Sequence, residues 1–184
     1  MKLAKIACIA LLCVHASAGT LLAQTSNSAP EKTKEQKISD LDGPTGDVMA
    51  AAARSLVVDK DLFLKRLKDS SGDVRFKTMW ALWEITVPYF YATDLADPAA
   101  SLLSDPEARV RAETIGFFYA MKSTQYKDKI ARLLADPDKS VRNNALIYIG
   151  WTKDSFYKPN IQTLLNDPDA DIRKLAGETL DKMK

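Results

Sequence analysis

A chain of 184 residues with 46% hydrophobic side chains is long and apolar enough to bury the core of about one domain. Its charges nearly cancel, 26 basic residues against 24 acidic ones, which excludes broad electrostatic attraction to nucleic acid or to an anionic membrane. The two cysteines and the single histidine, Cys8, Cys13 and His15, all lie near the N-terminus.

That start, MKLAKIACIALLCVHASAG, has the parts of a secretory signal peptide. Lys2 and Lys5 precede an apolar run from Ile6 to Val14, and Ala16-Ser17-Ala18 supplies a small-residue cleavage site. A signal peptide is therefore expected over 1–18, with the protein exported, periplasmic or secreted. The apolar run is too short for a comfortable transmembrane helix, so no membrane insertion is expected once the signal is removed. Cys13 follows Leu12, and Cys8 has Lys5 three places before it; neither arrangement suits lipid attachment. Cleavage would remove both cysteines and the histidine, and the loss of Lys2 and Lys5 would bring the basic residues level with the acidic ones. A chain so trimmed has no disulfide, no thiol nucleophile, no serine–histidine triad and no ordinary zinc or copper site.

Next comes Thr25–Ser39, TSNSAPEKTKEQKIS, with Ile38 as its one large apolar residue. That composition cannot bury enough surface to fold, so 19–45 is expected to be a polar flexible linker. Residues 46–184 read as one repeat domain. It opens on a degenerate half-unit from Gly46-Asp47-Val48 to Val58, since the same three letters recur at Gly72-Asp73-Val74.

Four stretches then align without gaps: LKDSSGDVRFKTMWAL, LLSDPEARVRAETIGF, LLADPDKSVRNNALIY and LLNDPDADIRKLAGET. Asp69, Asp105, Asp136 and Asp167 lead them, at spacings of 36, 31 and 31 residues. Two places earlier stand Leu67, Leu103, Leu134 and Leu165; five places later stand Val74, Val110, Val141 and Ile172. Arginine follows each time, as Arg75, Arg111, Arg142 and Arg173. A period of this size indicates a solenoid of stacked helical units.

Each unit reads as two helices. Ile130, Leu133 and Leu134, or Ile161, Leu164 and Leu165, recur at helical spacing before the aspartate. Asp-Pro then stops that helix, and the lead aspartate is expected to cap the next one. The second helix is expected to bury Val110, Thr114, Phe117, Phe118 and Met121, or Val141, Ala145, Tyr148, Ile149 and Thr152, along one face. An arginine in the first turn of a helix opposes the helix dipole and needs an anion nearby. The lead aspartate of the same turn, or of the adjoining repeat, supplies it. The eight residues Asp69, Arg75, Asp105, Arg111, Asp136, Arg142, Asp167 and Arg173 are thus expected to form a structural ladder rather than a catalytic set.

The last copy also mimics a calcium loop, with Asp167, Asp169, Asp171 and Glu178 at EF-hand offsets. The equivalent places elsewhere hold Ser71 and Asp73, Glu107 and Arg109, Asp138 and Ser140, so the acids are not a property of the motif. Ile172 stands where the loop needs glycine. No metal and no cofactor are expected.

The LLxDPDxxVRxxA pattern resembles a HEAT repeat, and its 31-residue period is similar to the HEAT-like units of the phycobilisome lyase family. The resemblance covers residues 60–184. It implies an all-α fold, an α-α superhelix of about four to five helix pairs, and a scaffold that binds other proteins. No family catalytic residue maps onto this sequence, so the chain is read as non-enzymatic. Its partner is a protein of unstated identity, and a homo-oligomer is among the admitted assemblies. The competing reading is a carboxylate-based enzyme, or an accessory subunit of an envelope enzyme, since Asp and Glu do acid–base work without histidine. Two facing carboxylates in a deep pocket would favour it.

The binding face follows from helical periodicity. Residues two, six and nine places after the β-branched position lie opposite the expected buried face. In the last unit these are Lys174, Glu178 and Asp181; in the first they are Phe76, Trp80 and Trp83. The middle units place Ala112, Gly116 and Tyr119, then Asn143, Ile147 and Gly150 there. Phe76, Trp80, Trp83, Tyr119 and Ile147 are the candidate partner-binding residues. For the first-unit stripe two readings stay open. It is an interface, or it is covered, either by Tyr89, Phe90 and Tyr91 after Pro88 ends the helix or by the helix around Met49 to Leu56.

Overall fold

The computed structural model describes the backbone of residues 30–56, 58–89 and 93–183 and, outside 86–93, their side chains. The expected signal peptide, with Cys8, Cys13 and His15, and the first part of the expected linker lie outside the described residues. No helix among the described residues is long and apolar enough to cross a membrane.

The polar segment before the repeats is helical rather than a pure tether. Helix α1 runs Lys34–Leu41, started by a reciprocal cap in which Thr33 accepts from the Gln36 backbone and the Gln36 side chain accepts from the Thr33 backbone. Leu41 is buried and Ile38 packs against the core, so two apolar residues on one face dock this short helix. It packs on α2, Asp47–Leu56, whose Met49, Ala50, Ala52, Ala53 and Leu56 are buried. The expectation of a flexible linker up to residue 45 therefore fails over Lys34–Leu41, and the expected half-unit is a complete helix pair.

Four more pairs follow. They are α3 (Lys60–Arg66) with α4 (Gly72–Tyr89), α5 (Ala96–Ala100) with α6 (Ala108–Ala120), α7 (Lys127–Arg132) with α8 (Lys139–Thr152), and α9 (Lys158–Thr163) with α10 (Ala170–Lys182). The described residues form no strand. The second helices line up in a row, α2 on α4, α4 on α6, α6 on α8 and α8 on α10. Pro88 does not end α4 after Ile85; the helix continues to Tyr89. A proline in the last turn removes a bond to the Glu84 carbonyl, where helix-end carbonyls are losing their partners anyway.

The Asp-Pro turn works differently from a simple cap. Asp105, Asp136 and Asp167 are extended, as a residue before proline must be, and the first helix of each of these units tightens into a 3₁₀ turn just before them. Each lead aspartate accepts from the N–H two residues on, at 2.9 Å in Asp69, Asp105, Asp136 and Asp167 alike. The helix caps of α8 and α10 are instead the second acids, Asp138 and Asp169. Lys122 and Lys153 close α6 and α8 in the left-handed conformation, both at φ 53° and at equivalent places in their units. Gly150 lets α8 and α10 approach: a Cβ there would lie 2.6 Å from Thr179 Cγ2.

The ladder runs between units. Arg75 forks Asp105 (2.6 and 2.9 Å), Arg111 forks Asp136 (2.8 and 2.7 Å) and Arg142 forks Asp167 (2.8 and 2.9 Å). Each arginine meanwhile donates Nη1 to two carbonyls of its own turn, as Arg142 does to Asp136 and Pro137. The anion therefore comes from the following repeat, while the same turn contributes only its backbone. Among the described residues, Asp69 takes no arginine fork, and Arg173 meets the carbonyls of Asp167 and Pro168 but no carboxylate. At the N-terminal end, buried Arg66 replaces the usual leucine and reaches Asp42 (2.7 Å) and Thr78 (3.2 Å), tying the α1–α2 connection to the repeats.

Candidate protein-binding groove

The buried arc of the second helices is wider than one face. Val110, Thr114, Phe117 and Phe118 are buried as expected, and Ile115 and Ala112 are buried too. In α8, Leu146 joins Val141, Ala145, Tyr148 and Ile149, while Met121 and Thr152 are only half-buried. Each inner helix has a neighbour on both sides as well as its own first helix beneath, so little of its circumference is left for solvent.

What is left forms a groove between α6 and α8. Ile115, Gly116, Tyr119, Asn144 and Ile147 line an open hollow of about 240 Å³. Gly116 leaves the α6 wall low, since a Cβ built there meets nothing within 4 Å. Ile147 is 42% exposed on the opposite wall. At one end Tyr119 meets Trp151 edge-on at 5.8 Å, and Lys122 Nζ sits 3.9 Å above the Tyr119 ring. Asn144 Nδ2 donates to the Ala112 carbonyl at 3.0 Å and Asn144 Oδ1 accepts from Asn143 Nδ2 at 3.3 Å, which fixes the amide in the groove floor.

Of the five candidates from the sequence, Tyr119 and Ile147 come together in this groove. Phe76, Trp80 and Trp83 belong to α4 and are half-buried, with Phe76 and Trp80 packed against the core and the Arg109 guanidinium 5.4 Å above the Phe76 ring. Cover by Tyr89, Phe90 and Tyr91 falls on side chains outside the described residues. Trp151 and Asn144 were not singled out from the sequence. Trp151 lies one turn beyond Ile147 on the same side of the helix, and that spacing was the available signal.

The acids of the calcium-like loop are used otherwise. Asp167 is forked by Arg142, Asp169 and Asp171 share Lys139 at 2.8 and 2.9 Å, and Glu178 lies inside α10, four residues from Lys174. One further acid stands out. Glu113 of α6 is pushed up to about 7, chiefly by burial and then by the charge of Glu84 on α4. Neither glutamate lines the groove.

No family model matches the sequence, and no curated protein matches it either. Solved structures do. A designed armadillo repeat protein in complex with the peptide (KR)4 superposes with a TM-score of 0.56 at 16% identity, covering 80% of each chain. The complex of CpcE and CpcF of phycocyanin lyase from Nostoc sp. PCC7120 gives 0.55 at 17% identity, covering 90% of this chain and 70% of that one. An engineered protein gives 0.54 at 19% identity, covering 82% and 78%. These similarities concern the fold, which is that of an armadillo/HEAT-like all-α repeat domain.

Proposed function

We propose that this HEAT-like repeat chain is a non-enzymatic, exported scaffold that holds an extended segment of a protein partner in the α6–α8 groove. The observation that carries the reading is the groove itself: an unfilled apolar hollow in the middle of the helix row, floored by an amide and walled by Tyr119 and Ile147. Isoleucine 42% exposed beside a glycine-opened wall suits an apolar side chain inserted from a partner, with Asn144 and the Tyr119–Trp151–Lys122 group beside it. The designed armadillo protein of similar fold holds a peptide, which supports a peptide-like occupant.

Gly116 provides the test. Gly116→Ala should raise stability by about 0.5–1 kcal/mol, because it removes the backbone entropy cost of a mid-helix glycine and its Cβ enters open space. Gly116→Leu should keep the fold and fill the groove. Displayed peptides selected on the wild-type chain should then lose binding to Gly116→Leu. Selected peptides that bind both alike would overturn the assignment.

Export rests on the N-terminal sequence. Material recovered outside the cytoplasm should begin at Gly19 on N-terminal sequencing; a retained Met1 there would refute it.

A further inference from the structure

The groove between α6 and α8 has a counterpart one unit earlier, between α4 and α6. The repeat fixes its positions: Trp80 and Trp83 of α4 stand where Gly116 and Tyr119 do, and Glu113 of α6 stands where Asn144 does. Gly116 itself takes the place of Ile147 there, so it belongs to both. A Cβ at Gly116 would meet nothing within 4 Å, which makes the crest of α6 a low pass between the two.

The two places differ in charge. Asn144 is satisfied, donating across to the Ala112 carbonyl. Glu113 is not: among the described residues neither it nor Glu84 of α4 has a hydrogen bond or an ion pair. The cations of these two helices are engaged elsewhere. Arg75 and Arg111 fork Asp105 and Asp136, while Lys77 and Arg109 pair with Asp73. Glu113 is half-buried, and burial first and the Glu84 charge second push it up to about 7. An acid so placed gains from any cation brought to it.

Aromatic surface lies on the same strip. Trp80 and Trp83 are half-buried on α4, and an indole face is the best of the aromatic seats for a cation. The chain uses that chemistry once itself, one unit on. Lys122 Nζ sits 3.9 Å above Tyr119, the equivalent of Trp83, and 5.2 Å from the centre of the Trp151 ring.

We propose that the segment held in the α6–α8 groove continues over Gly116 and sets a lysine or arginine side chain against Glu113, Glu84 and the tryptophans of α4. The inference rests on the groove reading above and adds the charge of the occupant. Packed helices lie about 8–10 Å apart and an extended chain rises ~3.3 Å per residue, so the basic residue stands about three places from the inserted apolar one.

The probe is a blocked heptapeptide with leucine at its centre, two serines on either side and arginine at both ends. Either chain direction then offers a cation three residues from the leucine. Matched peptides carry glutamine or glutamate at the ends. At pH 8 in isotope-labelled protein, the arginine and glutamine peptides should both move the Ile147 methyl signals. Only the arginine peptide should move the indole N–H signals of Trp80 and Trp83. It should bind about tenfold more tightly than the glutamine peptide, with the glutamate peptide weakest. The gap should narrow as pH falls below about 7, where Glu113 takes up its proton. Glu84→Gln combined with Glu113→Gln should bring the arginine and glutamine peptides together while the Ile147 response stays. Equal binding by those two peptides to wild type, still indole signals, or a gap that survives the double variant would overturn the proposal and leave the groove standing. No response at Ile147 to any of the peptides would overturn the groove reading, and this inference with it.

Discussion

Replacing Arg142 with alanine should cost the domain about 3 kcal/mol, because it strands a buried carboxylate in the middle of the stack. Asp167 is 6% exposed and would keep only the Asp169 N–H as a partner. Arg173→Ala makes the same chemical change where no carboxylate is left behind, and should cost under about 1 kcal/mol. Denaturant melts of both variants check the contrast; equal losses would sink the inter-unit ladder. Asp167→Asn added to Arg142→Ala should return part of the loss, since the stranded charge is then gone. The pH dependence follows the same logic. Burial pushes the Asp167 carboxyl up, but the Arg142 fork and the Asp169 N–H outweigh it and hold the group below the usual carboxylate range. A depressed acid stabilises the fold above its unfolded pKa, and that stability is lost as pH falls through its folded value. Arg142→Ala should remove this part of the acid-unfolding response.

The repeat and its two-helix units were legible because they are local: a leucine, an aspartate, a β-branched residue and an arginine at fixed spacings. Which arginine meets which aspartate was not, since both candidates satisfy the helix-dipole argument and only stacking selects the forward partner. The cap shifted from the lead aspartate to Asp138 and Asp169 for a related reason. A residue extended before proline turns its carboxylate to the N–H two places on, and the next acid is then better placed to cap. Helix α1 was hidden because only Ile38 and Leu41 carry its packing, though Thr33 and Gln36 spell a capping box. The binding face was displaced because a single-face wheel ignores the lateral neighbours. Flanked on both sides, α6 buries Ala112 and Ile115, and Gly116 and Tyr119 are left half-buried on the side that faces the groove.

Stability should fall as pH rises from about 5 to 7, and Glu113→Gln should flatten that slope. Glu113 is raised from an ordinary 4.5 to about 7, first by burial and then by the Glu84 charge. The folded state thus holds its proton more tightly than the unfolded chain. Below about 4.5 both states are protonated and the group contributes no difference. Between 4.5 and 7 the unfolded chain ionises first, so unfolding becomes progressively easier; above 7 the penalty is complete. At about 1.4 kcal/mol per pH unit it reaches about 2–3 kcal/mol once partial exposure is allowed for. The single histidine is His15, so no imidazole in residues 30–183 titrates across that window. An amide suits the site, since Asn144, at the equivalent place in the next unit, donates to a carbonyl of the preceding helix. Glu113→Gln should therefore be more stable than wild type at pH 8 and nearly indistinguishable from it at pH 4.5. Thermal melts across the range read both ends, and parallel wild-type and variant profiles would show that the folded Glu113 ionises like an exposed glutamate.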